Sequence, residues 1–187
     1  MVTYRLVWRE QRGEVVSDPC KLQHAFSIQH EYLTSIWKTV KEGDLEALGG
    51  RNKILGQLML EHPQYQYFWE LPSALAYVKA KEAIEEQSAV NADSHIVAEV
   101  SVLEQIETKD PPEANKAYAA LLRTGMQPHE ARHAIARILA EVVLEVSHMA
   151  QGGQEPDNEM YVRKLRRTAK HPWEEYNEQI SKIEECW

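Results

Sequence analysis

Apolar residues recur at helical spacing along most of the chain, and the stretches between them carry the residues that start and stop helices. Asp18-Pro19 offers an N-cap followed by a proline at the first helical position. The stripe Leu22, Phe26, Leu33, Ile36, Trp37 and Val40 follows, and Gly43 stops it. A second helix carries Leu48, Ile54, Leu55, Leu58 and Met59, starts weakly at Gly49-Gly50 and runs to about Glu61, where His62-Pro63 ends it. An aromatic connector, Tyr65, Tyr67, Phe68 and Trp69, leads to Pro72, which opens a third helix through about Gln87. Asn91-Ala92-Asp93-Ser94 is a run of N-cap candidates ahead of a fourth helix at roughly 94–108. Asp110-Pro111-Pro112-Glu113 combines an N-cap, a proline and a capping-box acid at the head of a fifth, ending near Gly125. Pro128 opens a long apolar sixth helix to about Ala150, broken by Gly152-Gly153, and a charged helical pair split at Pro172 completes the chain.

Only residues 3–16 depart from this pattern. They alternate loosely around Gln11-Arg12-Gly13, as a short β-hairpin or an arm does. The expected fold is therefore all-α: a single-domain antiparallel helical bundle at 18–150, with an N-terminal arm or hairpin at 1–17 and a charged helical extension at 151–187. At 187 residues the chain is long enough to bury a core, and Trp37 and Trp69 read as part of it.

Charge and cysteine usage narrow the function classes. A net charge of −8 argues against a general nucleic-acid binder, whose affinity rests on neutralising phosphates. Arg163, Lys164, Arg166, Arg167 and Lys170 form one basic segment, read as a solvated helix face balanced by Glu174, Glu175, Glu178, Glu184 and Glu185. No apolar run is long enough to span a bilayer, and Met1 to Arg5 lack the basic-then-apolar pattern of a secretory leader. Cys20 and Cys186 make neither a disulfide framework nor a thiolate metal motif. A cytoplasmic location is the expectation.

Chemistry is concentrated on two helices. On a wheel of the fourth, Glu99 falls about 40° from His95, and both lie within the arc of Ile96, Val100, Val102, Leu103 and Ile106. A carboxylate and an imidazole on an apolar face need partners, because an unpaired buried charge costs several kcal/mol. The sixth helix offers His129 and His133, one turn apart at the edge of its apolar stripe and beside Ala136 and Ala140. If the fourth, fifth and sixth helices run up, down and up, the first turns of the fourth and sixth lie at the same end of the bundle. His95, Glu99, His129 and His133 would then be level, a donor set suited to zinc, iron or manganese. The competing reading is a buried hydrogen-bond network without metal.

His129-Glu130-Ala131-Arg132-His133 also spells H-E-x-x-H, in which Glu130 would be a general base on a zinc-bound water. The extended protease form is absent, since Ala136 and Leu139 occupy the later Gly and His positions, and Glu130 falls toward the solvated face. Glu130-x-x-His133 and Glu145-x-x-His148 share one helix, whereas di-iron bundles place that motif on two. His24, His30, His62, His148 and His171 have structural explanations; His62, for instance, precedes a helix-ending proline.

Several of these segments together resemble a bacterial family, the domain of unknown function DUF1841, over about residues 31–146. The resemblance rests on Ile36-Trp37, on Glu61-His62-Pro63-Gln64-Tyr65, on Asn91 to Gln105, and on His129-Glu130-Ala131-x-His133 followed by Glu141. The family's fourth-helix motif reads Asn-Pro-x-x-His-x-x-x-His and ends in a Glu-Gln pair. Asn91, His95, Glu104 and Gln105 match it, while Ala92 replaces the Pro and Glu99 the second His. The resemblance implies an all-α fold with a His-rich helix pair and no particular activity. The leading expectation is thus a transition-metal-binding helical protein. The alternative is a cofactor-free interaction module that presents a surface such as Tyr65, Tyr67, Phe68 and Trp69 to a protein partner or a second copy of the chain. The sequence names no small-molecule substrate.

Overall fold

The computed structural model describes residues 19–85, 92–151, 153, 157 and 159–174. No strand occurs among the described residues, and the chain is all-α. The arm or hairpin expected at 3–16, the caps Asp18 and Asn91, and the extension beyond Glu174 lie outside them. The helices are α1 (Pro19–Lys41), α2 (Gly50–Glu61), α3 (Ser73–Glu85), α4 (Ala92–Thr108), α5 (Pro112–Arg123), α6 (Pro128–Gln151) and α7 (Met160–Lys170). The aromatic connector between α2 and α3 folds as two 3-10 turns, Pro63–Tyr65 and Phe68–Glu70. Among the described residues, no helix is long and apolar enough to cross a membrane. Contacts gather the chain into two compact units, one within residues 16–100 and one within 101–187, with the boundary inside α4.

In the first unit α1 packs against α2, α3 and the connector. Leu33, Ile36, Trp37 and Val40 of the α1 stripe are buried, as are Leu55, Leu58 and Met59 of α2. Gly43 ends α1 as foreseen, at φ +80°: its N–H bonds the Val40 carbonyl at 3.0 Å and the Asp44 N–H reaches the Thr39 carbonyl at 3.2 Å. This double closure is available because glycine enters the left-handed region without strain. Gly56 has a steric reason instead. A Cβ there would lie 2.8 Å from Val40 Cγ2 and from Leu45 Cδ1, so any side chain at this position would have to displace those two methyl groups. Phe68 and Trp69 fill the interior and Tyr65 is half-buried, while Tyr67 is exposed, so the connector is spent mainly on the core.

The polar centre of this unit is His30. Its Nδ1 lies 2.9 Å from Asp93 Oδ2 and its Nε2 3.0 Å from the Leu71 carbonyl. Trp69 Nε1 donates to Asp93 Oδ1 at 3.1 Å. His30 and Asp93 are both buried. Burial alone would depress the His30 pKa, but the Asp93 hydrogen bond, the Leu71 carbonyl and the Asp93 charge outweigh it and leave the pKa raised. Two acceptors facing two ring nitrogens suit an imidazolium, which donates from both. Asp93 was one of the run of N-cap candidates for the fourth helix. It lies inside α4, and its side chain holds α1 and the connector instead.

In the second unit α5 packs on α7 and α6, burying Ala114, Ala117, Ala120 and Leu121 along one face. Tyr161 Oη donates to Gln105 Oε1 at 2.7 Å, a buried bond from α7 to the C-terminal half of α4. The N-cap of α5 is Pro111, with Pro112 at the first position, so Asp110 does not cap it. The basic segment on α7 is balanced mostly by acids other than those expected. Arg163 pairs with Asp157, Lys164 with Glu141 and Glu145, Arg166 with Glu113, and Arg167 with Glu174. Of the five C-terminal acids, Glu174 is the described partner.

Two outcomes follow from this packing. Gly56→Ala is expected to lower unfolding stability by about 1–3 kcal/mol in urea titrations, the range for overpacking a close contact; a change below about 0.5 kcal/mol would contradict the tight approach. Asp93→Ala should cost about 3–5 kcal/mol by stranding the buried His30 imidazolium. Because the folded His30 pKa is raised, its contribution is fully present below the ordinary value of 6.5 and is lost as pH rises through the folded value. The stability gap between wild type and His30→Asn should therefore narrow over that rise, and a constant gap would contradict an ionised His30.

Candidate metal centre

The first turns of α4 carry His95 and Glu99 on the side where Ile96 and Val100 are completely buried, so the wheel placed both correctly. Glu99 is itself completely buried, and 13 % of the His95 side chain remains exposed. One turn apart, the two side chains meet: His95 Nε2 lies 2.9 Å from Glu99 Oε1.

A third group joins them that sequence reasoning had set aside. His62 is the C-cap of α2 and is completely buried. Its Nδ1 lies 2.7 Å from the carbonyl of Leu58, one turn earlier on α2, so Nδ1–H donates and the neutral ring presents a lone pair at Nε2. That Nε2 lies 3.1 Å from Glu99 Oε1 and 3.1 Å from His95 Nε2. Three potential donor atoms thus stand at the corners of a triangle with sides of 2.9 to 3.1 Å. Histidines that bind metals commonly donate their second nitrogen to a backbone carbonyl, which fixes tautomer and ring orientation. The Leu58 contact has that form.

Tyr65 walls the group. Its ring stacks on His62 at 5.8 Å between centroids and meets His95 edge-on at 5.3 Å. Burial, and then the charge of Glu99, raise its phenol pKa, which keeps it protonated. For His62, burial pulls the pKa down, but the Glu99 hydrogen bond, the Leu58 carbonyl and the Glu99 charge outweigh it, and the net shift is upward.

The sequence had drawn together His95, Glu99, His129 and His133. Of these, His95 and Glu99 touch each other, and so do His129 and His133, whose ring centroids on α6 are 4.2 Å apart. Glu130 is exposed and its Oε2 accepts the Gln127 N–H at 2.9 Å, which satisfies one backbone donor at the head of α6. Among the histidines given only structural explanations, His62 belongs to the site and His30 to the buried ion pair. The signal for His62 was its place in the Glu61-His62-Pro63-Gln64-Tyr65 segment directly after the apolar Leu58-Met59-Leu60.

In the metal-free protein, NMR titration of His62 should give a midpoint above 6.5. Its ion pair with Glu99 then contributes fully below 6.5 and is lost as pH rises through that midpoint. A midpoint below 6.5 would show burial prevailing over the carboxylate.

Comparison with known proteins gives a family model, described as a domain of unknown function (DUF1841), that matches residues 27–167. The match runs past the segment 31–146 at both ends and takes in most of α7. No curated protein and no solved structure matches the chain.

Proposed function

The chain belongs to the DUF1841 family, and on that premise, which carries no activity with it, we propose that it binds a divalent transition metal (zinc, iron or manganese) through His62, His95 and Glu99, with His133 as a fourth ligand. The observation that carries this reading is the triangle of donor atoms with sides of 2.9 to 3.1 Å. With Nδ1–H committed to Leu58, a neutral His62 would turn its Nε2 lone pair toward the Glu99 carboxylate. A proton bridges two such atoms at a time; a cation about 2.1 Å from each engages all three. Two protons, one on each Nε2, would set N–H groups against each other across 3.1 Å.

His133 is included on the chain-order expectation alone, by which the first turns of the fourth and sixth helices would be level. It offers an imidazole nitrogen, as His62 and His95 do. His129, in contact with His133, is the further donor that the same argument supplies. The network reading retains one specific support, the raised His62 pKa, which suits a proton shared with Glu99.

Elemental analysis of untagged protein, purified without nickel or chelator, tests the proposal. Near-stoichiometric metal is expected in the wild type, its loss in His62→Ala, His95→Ala and Glu99→Ala, and weaker retention in His133→Ala. His129→Ala, in the same assay, shows whether a further donor is used. Metal should also raise the melting temperature, by about 2.7 kcal/mol of stability at a hundredfold excess over Kd. Full metal retention in His62→Ala or His95→Ala, or a wild type that stays empty after reconstitution with each of the three ions, would overturn it in favour of the network.

A further inference from the structure

We infer that the metal centre keeps two adjacent coordination positions for a small anion that chelates through two oxygens, an inference that rests on the metal reading above. The triangle itself carries it. An ion about 2.1 Å from three atoms about 3.0 Å apart sees each pair at about 90°, whereas tetrahedral ligands at that distance stand about 3.4 Å apart. His62 Nε2, His95 Nε2 and Glu99 Oε1, at 2.9 to 3.1 Å, therefore span one face of an octahedron. Both imidazoles approach the same carboxylate oxygen, so Glu99 supplies one corner of that face. The three remaining positions form the opposite face and are all neighbours of one another. Whichever of them His133 takes, the two left over are adjacent, at the spacing a five-membered oxygen chelate needs.

Charge selects the sign of that ligand. The Leu58 carbonyl holds His62 in the tautomer that ligates while neutral, so a divalent ion with one carboxylate leaves the centre at +1. Glu99 and His62 are completely buried, and net positive charge held there is costly unless an anion offsets it. Access remains on the side of His95, the least buried of the three, beside the half-buried ring of Tyr65.

The full-length protein loaded with cobalt(II) gives a direct reading, because visible ligand-field bands are weak for six-coordinate cobalt and intense for four-coordinate cobalt. Weak bands are expected, shifted by oxalate at concentrations at least about tenfold below those needed for acetate, since the second oxygen binds intramolecularly. Intense bands that neither anion moves would identify a closed four-coordinate site and overturn this inference while leaving metal binding intact. Equal responses to oxalate and acetate would mean a single free position and would overturn it as well. Failure to take up cobalt, zinc, iron or manganese at all would remove the metal reading and this inference with it.

Discussion

Asp93 is the residue on which the candidate centre depends, although it donates nothing to it. Its carboxylate accepts from His30 on α1 and from Trp69 in the connector, fixing the first turn of α4 against both. His95 follows two residues later and Glu99 one turn after that, so the pose of both is set by the same anchor. Trp69 meets the edge of Tyr65, and Tyr65 stacks on His62. A buried pair of this kind contributes little net stability once desolvation is counted, but removing one partner is costly. Its value lies in permitting one arrangement of three separate segments.

Much of the fold was legible in the sequence because the stops are local. Gly43, His62-Pro63, Gly125 and Pro128 act through their own backbone preferences, and each helix limit they set lies within a residue or two of its expected place. The same locality explains the errors. Asp93 carries every mark of a cap, but a cap is one of several acceptors an aspartate can be, and His30 and Trp69 bind it from 63 and 24 positions away. Three of the acids that balance α7, Glu113, Glu141 and Glu145, are likewise contributed by α5 and α6, at separations no charge pattern along the chain encodes.

Half of the polar triangle's logic was also visible. A wheel compares residues within one helix, so it recognised that His95 and Glu99 sit where apolar side chains belong. It has nothing to say of His62, which lies just past the end of α2 and already had a role as the residue before a proline. His30 was missed differently: the α1 stripe Leu22, Phe26, Leu33, Trp37 has a gap one turn after Phe26, and His30 fills it. A polar residue completing an apolar stripe has to bring its partner with it, which is the rule that worked on α4.

The placement of His62 at the C-cap of α2 ties one corner of the triangle to a piece of secondary structure. Its ring is aimed by the carbonyl of Leu58, which exists in that position only while the last turn of α2 is wound. Fraying of that turn, the ordinary local motion of a helix end, rotates the imidazole out of register and dissolves the triangle without any change elsewhere in the fold. The geometry of the triangle and hydrogen-exchange protection at the end of α2 are accordingly one equilibrium seen through two observables.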